Sequence, residues 1–452
     1  MWVATADTTM RRAALSAVVT TLASVMPVFL VGGLAVQISR DMTLTPTTLG
    51  LAVAVYFGVT ALASMPVGAL VERFGAKVTA QAGILLAADA MLAVAISART
   101  LAALLVMLAI GAAANALGQL ASNSTLSYYV PKHRHGLVFG AKQAAIPLAT
   151  LLAGSSVPVV ALTVGWRWAF VLGALLALVA IPLVPPDPPP RQAAERRREP
   201  AGTGLALLGT GAAFAAAAAT SIGAFLVASV VARGYSETRA GLLLTLAGAA
   251  CVASRLSVGA LADSWSVSWA GSAPTEGPGA WGKRWPRRHL TAVGAMLATG
   301  AAGTLLLSLD SPVATLFGVA FGYGVGWGFP GLLTYAVVRL RPAAPAAATS
   351  VTQTGVYAGN SLGPLCFGLM ATHRGFDAAW TAAAGAMAVA ACLVLVGARL
   401  ADARPAAPTR QCEHCGRQFG QDQRSDAIYC RSTCAGEALL MRRQAADQGG
   451  AA

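Results

Sequence analysis

Apolar residues fill long stretches of this chain, and short polar segments separate them. A helix that crosses a bilayer needs about 20 mostly apolar residues, and the pattern predicts twelve such spans. The first six spans cover 13–38, 47–71, 78–97, 101–126, 136–162 and 167–185, and the second six cover 204–231, 239–262, 288–309, 312–337, 345–371 and 378–400. The sequence therefore predicts an all-α membrane protein with twelve transmembrane helices in two groups of six.

The polar segments predict the domain boundaries. An N-terminal half, 1–185, is followed by a linker, 186–203, which is too rich in proline and arginine to cross a membrane. The C-terminal half, 204–402, contains an inserted loop at 264–287, and a polar tail, 403–452, ends the chain.

The two halves repeat each other. Gly50 matches Gly241 and Gly68 matches Gly259, at an offset of 191 residues, whereas Gln143 matches Gln353 at an offset of 210. The inserted loop accounts for the change in offset. Two six-helix halves of the same topology, related by an axis along the membrane normal, are therefore expected.

Composition and charge agree with this interpretation. The chain is 56% hydrophobic and 11% charged, with a formal net charge of +14. Of the 32 basic residues, 16 lie in the N-terminus and the loops on one side, eight lie in the tail or at the adjoining end of the last span, and six lie in the opposite loops. The positive-inside rule then places both termini in the cytoplasm. We expect a multi-pass protein of the cytoplasmic (inner) membrane, surrounded by lipid, and no nucleic-acid partner.

A glycine-and-charge motif lies between the second and third spans. It runs from Gly68 to Lys77, and part of it returns as Gly259 to Asp263 in the second half, where Ser264 and Trp265 end the match. Such a cluster either locks the cytoplasmic side of the protein closed or only fixes its orientation. Arg255, one turn before Gly259, is either the counterpart of the cluster or a side chain that reaches the membrane surface. The gating candidates are Gly68, Glu72, Arg73, Gly75, Lys77, Arg255, Gly259 and Asp263.

The motif and the repeat resemble the major facilitator superfamily over about residues 1–402. Gly68 to Lys77 is similar to the family's Gly-x-Leu-x-Asp-Arg-x-Gly-x-Lys signature, with Glu72 in place of the usual Asp. The resemblance implies a transporter, and it implies that the motif is a cytoplasmic gate. Three segments, 139–158, 165–170 and 322–333, look most like cyanate-permease-like and organic-anion-permease-like members. Proton-linked drug antiporters of the family often carry an arginine where this chain has Met107.

Polar side chains form one-sided stripes on two predicted helices. Residues three or four apart lie on the same helix face, and an unpaired amide is costly in hydrocarbon. Each stripe therefore faces either a substrate path or a neighbouring helix that it bonds. The fourth span carries Asn115, Gln119, Ser122 and Asn123, and the eleventh carries Gln353, Tyr357 and Asn360.

Lys142 is the basic residue that most directly indicates chemistry. A cation within a span is costly and is usually functional, and Lys142 adjoins Gln143 in a span that also contains Pro147. Such a cation would attract an anionic substrate. Alternatively, the span begins later than Lys142, and its side chain reaches the cytoplasm.

Two further side chains within the spans are candidates. Asp89 is the one acid of the 18 that falls inside a predicted span. It is a candidate site for a coupling proton, a structural protonated acid or a partner for Lys142. Trp327 lies in the glycine-rich tenth span and is a candidate wall of the substrate site, although plain close packing explains that composition as well.

Four cysteines in the tail have metal-ligand spacing. The pairs Cys412/Cys415 and Cys430/Cys434 are separated by fourteen residues, and four thiolates suit a tetrahedral structural Zn²⁺ ion. The segment resembles small bacterial zinc ribbons. Since the tail is predicted to be cytoplasmic, disulfides are not expected.

The sequence thus predicts a secondary active transporter for a small anionic organic solute that works by alternating access. A drug or metabolite exporter of the same fold, and a transporter-like sensor that signals through the zinc-binding tail, are the alternatives. An enzyme is not expected, because the sequence shows no nucleophile and base pair, phosphate loop or nucleotide fingerprint. Transport would then be driven by a gradient, with symport and a coupling proton among the possibilities.

Overall fold

The structure of the chain is a computed structural model. It describes residues 2–131, 134–187, 202–267, 278–341, 345–401, 409–411 and 418–420.

Helices make up almost all of the described part. The α-helices are α1 (Trp2–Gly33), α2 (Ala35–Asp41), α3 (Pro46–Ser97), α4 (Leu101–Tyr129), α5 (His135–Ser156), α6 (Trp166–Val179), α7 (Thr203–Ala232), α8 (Glu237–Val267), α9 (Pro278–Leu306), α10 (Pro312–Gly318), α11 (Pro330–Leu340), α12 (Pro345–Arg374) and α13 (Phe376–Leu400). π-helical segments at Val157–Ala161 and Val319–Val325 continue α5 and α10, a 3₁₀ turn covers Ile181–Leu183, and two short strands, β1 (Thr409–Gln411) and β2 (Gln418–Gly420), pair in the tail.

The predicted twelve spans correspond to this set of helices. Ten helical stretches of the described part are long and apolar enough to cross a membrane. One of them, α3, has 52 residues and breaks at Gly75, where the backbone is not helical, so it supplies two spans. The polar stripe that includes Gln353 and Asn360 makes α12 less apolar than the others, yet its 30 residues are long enough to cross. The fold is thus twelve transmembrane helices in two six-helix halves.

Glycines with positive φ lie at four turns between helical segments, at Gly75, Gly165, Gly234 and Gly375. Gly75 has φ 84°, Gly165 has φ 103° and Gly375 has φ 85°, values that an L side chain rarely adopts. Gly165 precedes α6 and Gly375 precedes α13. These two glycines are 210 residues apart, which is the offset found in the sequence repeat.

The helices extend into the predicted inserted loop. α8 continues to Val267 and α9 begins at Pro278, whereas the sequence predicted a loop over 264–287. Proline is well tolerated at the first position of a helix because the N–H that it lacks has no partner there. The predicted loop therefore extended too far, because Pro278 starts α9.

Small residues let the helices of the C-terminal half approach closely. Gly355, Gly359 and Gly363 of α12 lie four residues apart and pack against the backbone of α7. Their contacts on α7 are Gly209, Ala213 and Ala217, which are also four apart. Lipid tails are as apolar as the side chains, so no hydrophobic force drives membrane helices together. Close packing of this kind holds them instead.

Two seams join the halves, one between α3 and α12 and one between α5 and α8. We call the end of the bundle with the arginine-rich loops the inner end, because the charge count predicts that it faces the cytoplasm, and the opposite end the outer end. At the outer end, the hydroxyls of Thr47 and Thr372 lie 2.8 Å apart. Ser361 donates to the carbonyl of Ala54, at 3.0 Å.

The α3–α12 seam opens toward the inner end. Leu62 and Met65 continue the face of α3 that touches α12 farther out, yet they are 77% and 86% exposed. On α12, Gln353 continues the contacting face inward and is also exposed. The two helices therefore diverge, and the space between them is called the inner cleft below.

Candidate substrate site

Lys142 lies inside the N-terminal half and is held by α4. Its side chain is 2% exposed. Its Nζ donates to Oε1 of Gln119 at 2.8 Å, to Oδ1 of Asn123 at 2.6 Å and to the backbone oxygen of Gln119 at 3.4 Å. Gln119 and Asn123 are one helical turn apart, so both reach the same point on α5. The structure brings together three of the residues predicted to bind substrate.

The ammonium of Lys142 is hydrogen-bonded but not neutralised. Its three donors each have a neutral oxygen, and among the described residues no carboxylate contacts it. A buried charge without a counter-ion is costly in a membrane. The described contacts of Lys142 are thus all to neutral oxygens of α4.

Arg255 is a second buried cation, and it belongs to the other half. Its side chain is 3% exposed and points into the protein rather than to the membrane surface. Nε and Nη2 donate to the carbonyl of Trp327 at 3.1 and 2.9 Å, and Nη1 donates to the carbonyl of Gln143. The part of the chain that the structure describes gives Arg255 no acidic partner.

The carbonyl of Gln143 is available because of Pro147. In a helix, the carbonyl of residue 143 would accept from the N–H of residue 147, and proline has none. Arg255, from α8, supplies the missing donor. The proline in α5 therefore creates the acceptor by which the C-terminal half holds the N-terminal half, one residue from Lys142.

Trp327 lies beside this contact. Its ring centroid is 5.2 Å from Cζ of Arg255, and its side chain is 3% exposed. Its indole N–H has no acceptor among the described residues. A buried donor without an acceptor is uncommon in proteins, and it leaves one hydrogen bond to be made beside Arg255.

Two of the predicted substrate residues bond neighbouring helices instead. Asn115 contacts Ser24 of α1 and Thr60 of α3, both at 3.3 Å. Asn360 accepts from Thr220 of α7 at 2.6 Å. For these two amides, the described bonds match the alternative of helix-to-helix contact.

Gln353 and Tyr357 occupy a different place from Lys142. Both lie on the face of α12 that borders the inner cleft, and Gln353 is exposed there. They lie four residues apart, about one helical turn. Of the residues predicted for one site, the structure thus places some around Lys142, some at the inner cleft and two in helix contacts.

A family model decides which class of fold this geometry belongs to. The model described as "Major Facilitator Superfamily" matches residues 15–273 and 277–429. The chain belongs to the Major Facilitator Superfamily. It is therefore a multi-pass membrane protein that transports solutes, and it is not an enzyme.

Solved structures agree with this assignment. The chain is similar to a bacterial homologue of the human lysosomal transporter Spinster in an inward-facing and occupied conformation, with 17% identity and a TM-score of 0.63 over 86% of this chain and 96% of that one. The inward-facing and unoccupied form of that homologue gives 16% identity and a TM-score of 0.64 over 87% and 97%. No curated protein matches the chain in sequence.

The superfamily motif lies at the turn inside α3. Gly75 provides the positive φ that the turn requires, and Glu72, Arg73 and Lys77 are exposed at the inner end. Gly68 was predicted to allow a close helix approach, but an added Cβ there would meet no described atom within 4 Å. The inner part of α3 stands apart from α12, so this glycine makes no helix contact in this conformation.

The second copy of the motif, Gly259 to Asp263, packs differently from the first. Gly259 lies 3.8 Å from the position of a Cβ added to Gly140 of α5, so it faces the closed seam. Asp263 is in α8, and its side chain is outside the described part. Arg255 is engaged in the interior, as described above, and not in an ion pair near the motif among the described residues.

Asp187 contacts the motif, and this contact was not predicted from the sequence. Its carboxylate accepts from the backbone N–H of Lys77 at 2.7 Å, at the start of the second part of α3. A carboxylate at a helix N-terminus is favourable because the first N–H groups lack partners. The lone acid among the prolines of the linker was the signal available in the sequence.

Asp89 is exposed on α3, away from Lys142. It lies on the same face as Val78, Leu85 and Ile96, which are 52%, 47% and 69% exposed. No described contact joins it to either buried cation. The suggested pairing of Asp89 with Lys142 is therefore not formed, and its role as a proton site stays a prediction.

The outer end carries ion pairs that the sequence pattern did not indicate. Glu237 of α8 accepts from Arg40 and, at 2.7 Å, from Gln37 of α2, so it ties the halves together. Within the N-terminal half, Asp41 accepts from Arg167 and Trp166. Those two bonds hold the pKa of the Asp41 carboxyl below its usual value.

The zinc prediction falls outside the described residues. Cys412, Cys415, Cys430 and Cys434 are not described, and the described part contains no group of three or more residues that could hold a metal ion. β1 and β2 pair antiparallel, with Gln411 opposite Gln418, so they flank the first cysteine pair. Zinc binding stays a prediction.

Proposed function

We propose that this chain is a secondary active transporter that moves a small anionic organic solute across the cytoplasmic membrane by alternating access. The observation that carries the proposal is the pair of buried cations, Lys142 in one half and Arg255 in the other. Arg255 bonds the carbonyl of Gln143, the residue that follows Lys142. Neither cation has a carboxylate partner in the described part of the chain.

The sign of the charge favours an anion. A small cation would meet a buried positive charge in each half, whereas an anion would reduce the cost of burying the charge that it contacts. The amide oxygens of Gln119 and Asn123 hold Lys142 without removing its charge. A solute with a carboxylate would be a stronger acceptor for either cation than these neutral oxygens.

The shape of the bundle supports alternating access. The outer end is held by Thr47 with Thr372 and by Glu237 with Arg40, while the inner cleft separates α3 from α12. Moving one half against the other would close the cleft and open the outer end, as expected for transporters built from two repeats. Arg255 lies on the seam that such a movement would change.

The direction of transport, the coupling ion and the role of the tail are separate questions from the charge of the solute. Export and a sensor role remain the alternatives, and no described contact favours either of them. The sidedness predicted from charge would place the tail, with its expected Zn²⁺ ion, in the cytoplasm. The pairing of β1 with β2, which lie on either side of Cys412 and Cys415 in the sequence, supports this part of the proposal.

The test removes the charge at Lys142. The carboxylate that most raises the melting temperature of the purified protein is chosen first, and its uptake into proteoliposomes is then measured. We expect Lys142→Ala to reduce uptake at least about tenfold, which corresponds to about 1.4 kcal/mol of lost interaction, and Lys142→Arg to retain part of it.

The matched control is Asn115→Ala, on the same face of α4. Because Asn115 bonds α1 and α3, this variant should lower the melting temperature and leave uptake per folded molecule unchanged. A folded Lys142→Ala protein with wild-type uptake would contradict the anion proposal.

A further inference from the structure

A small cavity lies on the α5–α8 seam next to Arg255. It is enclosed by residues of α5, α8 and α11, and its lining includes Gly140, Gln143, Arg255, Gly331, Leu332 and Tyr335. Lys142 does not line it, since that side chain turns to α4. The cavity is thus separate from the Lys142 cluster, although the two share the Gln143 segment.

The lining has one cation and no acid. Arg255 is the charged member, Gln143 and Tyr335 are polar, and glycines, Val258 and Leu332 supply the rest. A guanidinium has five N–H donors, and its described bonds to carbonyls use three. Arg255 can therefore turn donors toward a ligand, and its charge is unmatched within this cavity.

The space suits a small group. A water-sized group can occupy about 20 Å³ of the cavity, which is room for one or two such groups. A carboxylate is planar and fits the fork of a guanidinium, and its two oxygen atoms would take the place of the one or two water-sized groups. The indole N–H of Trp327, which has no described acceptor, lies beside the same guanidinium.

The geometry points to this cavity as the site that binds the carboxylate of a small monoanion, with Arg255 as the binding residue. This inference rests on the proposed anion transport and adds the class of substrate, a small monocarboxylate, and the place of its charged group. A bound carboxylate competes with the carbonyls of Gln143 and Trp327 for Arg255. Because a charged acceptor is stronger than a neutral one, binding weakens the bond between α5 and α8.

The experiment measures binding of acetate to the purified full-length protein by titration calorimetry and by the shift in melting temperature. Acetamide serves as the neutral analogue, and nitrate serves as an inorganic planar monoanion. We expect acetate to bind and acetamide to have no effect. Arg255→Gln should weaken acetate binding at least tenfold.

Arg233→Gln is the matched control. Arg233 is a half-buried arginine at the end of α7 that also donates to carbonyls, those of Leu307 and Leu309, but it is paired with Asp377. We expect this variant to melt at a lower temperature and to keep its acetate response. An unchanged acetate response in Arg255→Gln would overturn the proposal.

A second variant covers the case in which Arg255→Gln does not fold. A Cβ added to Gly331 would meet no described atom within 4 Å, so Gly331→Leu extends into open space at the cavity while leaving Arg255 in place. It should abolish acetate binding, whereas Gly385→Leu, at another open position, should not. Retained binding in Gly331→Leu would overturn the site, as would equal binding of acetamide or binding of nitrate without acetate.

The outcomes separate this inference from the transport proposal. If uptake is lost in Lys142→Ala but normal in Arg255→Gln, transport of an anion stands and the Arg255 site is wrong. If the wild type takes up no carboxylate and yet binds acetate through Arg255, the site stands and the transported class is wrong.

Discussion

The two seams between the halves are built differently, although each pairs one helix from each half. The α5–α8 seam is closed along the membrane: an added Cβ on Gly154 would lie 2.5 Å from the N of Thr245, one on Gly248 would lie 2.5 Å from the N of Leu151, and Gly140 faces Gly259 near the inner end. The α3–α12 seam touches only in its outer part. Its inner part exposes Leu62 and Met65.

The difference follows from where the small residues lie. Glycines are spread along both helices of the closed seam, so the backbones approach over most of its length. On α3 the contacting glycines are in the outer part, and larger side chains follow inward. A pair of helices that can touch at one end only is suited to open and close, while the closed seam, with Arg255 across it, is the part where we propose that a substrate acts.

The largest expected effect comes from locking the outer end of the open seam. Thr47→Cys with Thr372→Cys places two thiols where hydroxyls now lie 2.8 Å apart, and oxidation should join them. Because the outer end then cannot open, uptake into proteoliposomes should fall to background and return with a reducing agent.

The control for the lock uses each single cysteine variant under the same oxidant. Both should transport normally, in a background without Cys251, Cys366 and Cys392 and without the tail cysteines. Full uptake by the crosslinked double variant would show that the outer end need not open, and the contrast between the seams would lose its functional meaning.

An intermediate effect, on the melting temperature, is expected from a substitution in the closed α5–α8 seam. Gly154→Ala adds a methyl group that meets backbone atoms of α8, and overpacking of this kind costs about 1–3 kcal/mol. The melting temperature should fall. Gly385→Ala, where an added Cβ meets nothing within 4 Å, should leave it unchanged or raise it, because alanine is the better helix former. Equal behaviour of the two variants would mean that α5 and α8 are not tightly packed.

The smallest effect concerns the ion pairs of the outer end. Glu237→Gln removes a pair that crosses the halves, in which the Arg40 side chain is 61% exposed, and such pairs contribute about 0.2–1 kcal/mol. We expect a modest rise in labelling of Thr372→Cys by an impermeant maleimide from outside. A fall in labelling would contradict the assigned role of the pair.

Asp41→Asn is the comparison, because the Asp41–Arg167 pair lies within one half. It should lower stability slightly and leave the labelling unchanged. Since the pKa of Asp41 is lowered in the folded protein, its contribution is present above the usual carboxyl pKa and is lost as the pH falls through the lowered value. Thermal denaturation against pH should show this loss in the wild type and not in Asp41→Asn.

The cluster formed by Lys142, Gln119 and Asn123 shows which features of the site the sequence could predict. Helical spacing was enough to predict that Gln119 and Asn123 share a face, and the cost of a charge in hydrocarbon singled out Lys142. The spacing also placed Asn115 in the same stripe, but a stripe drifts around the helix by about 40° every four residues. By Asn115 the face has turned toward α1 and α3, which only helix packing could show.

The sequence by itself determined the membrane fold, the two repeated halves and the presence of a basic residue within or at the end of a predicted span, because apolar length, register and charge are properties of local segments. The tertiary structure decided what those segments touch: that Arg255 turns inward to the carbonyl left free by Pro147, that Asp187 caps the second part of α3, and that Glu237 ties the outer end. These contacts join residues more than 100 positions apart. Their partners depend on which helices lie side by side, and hydropathy carries no information on that.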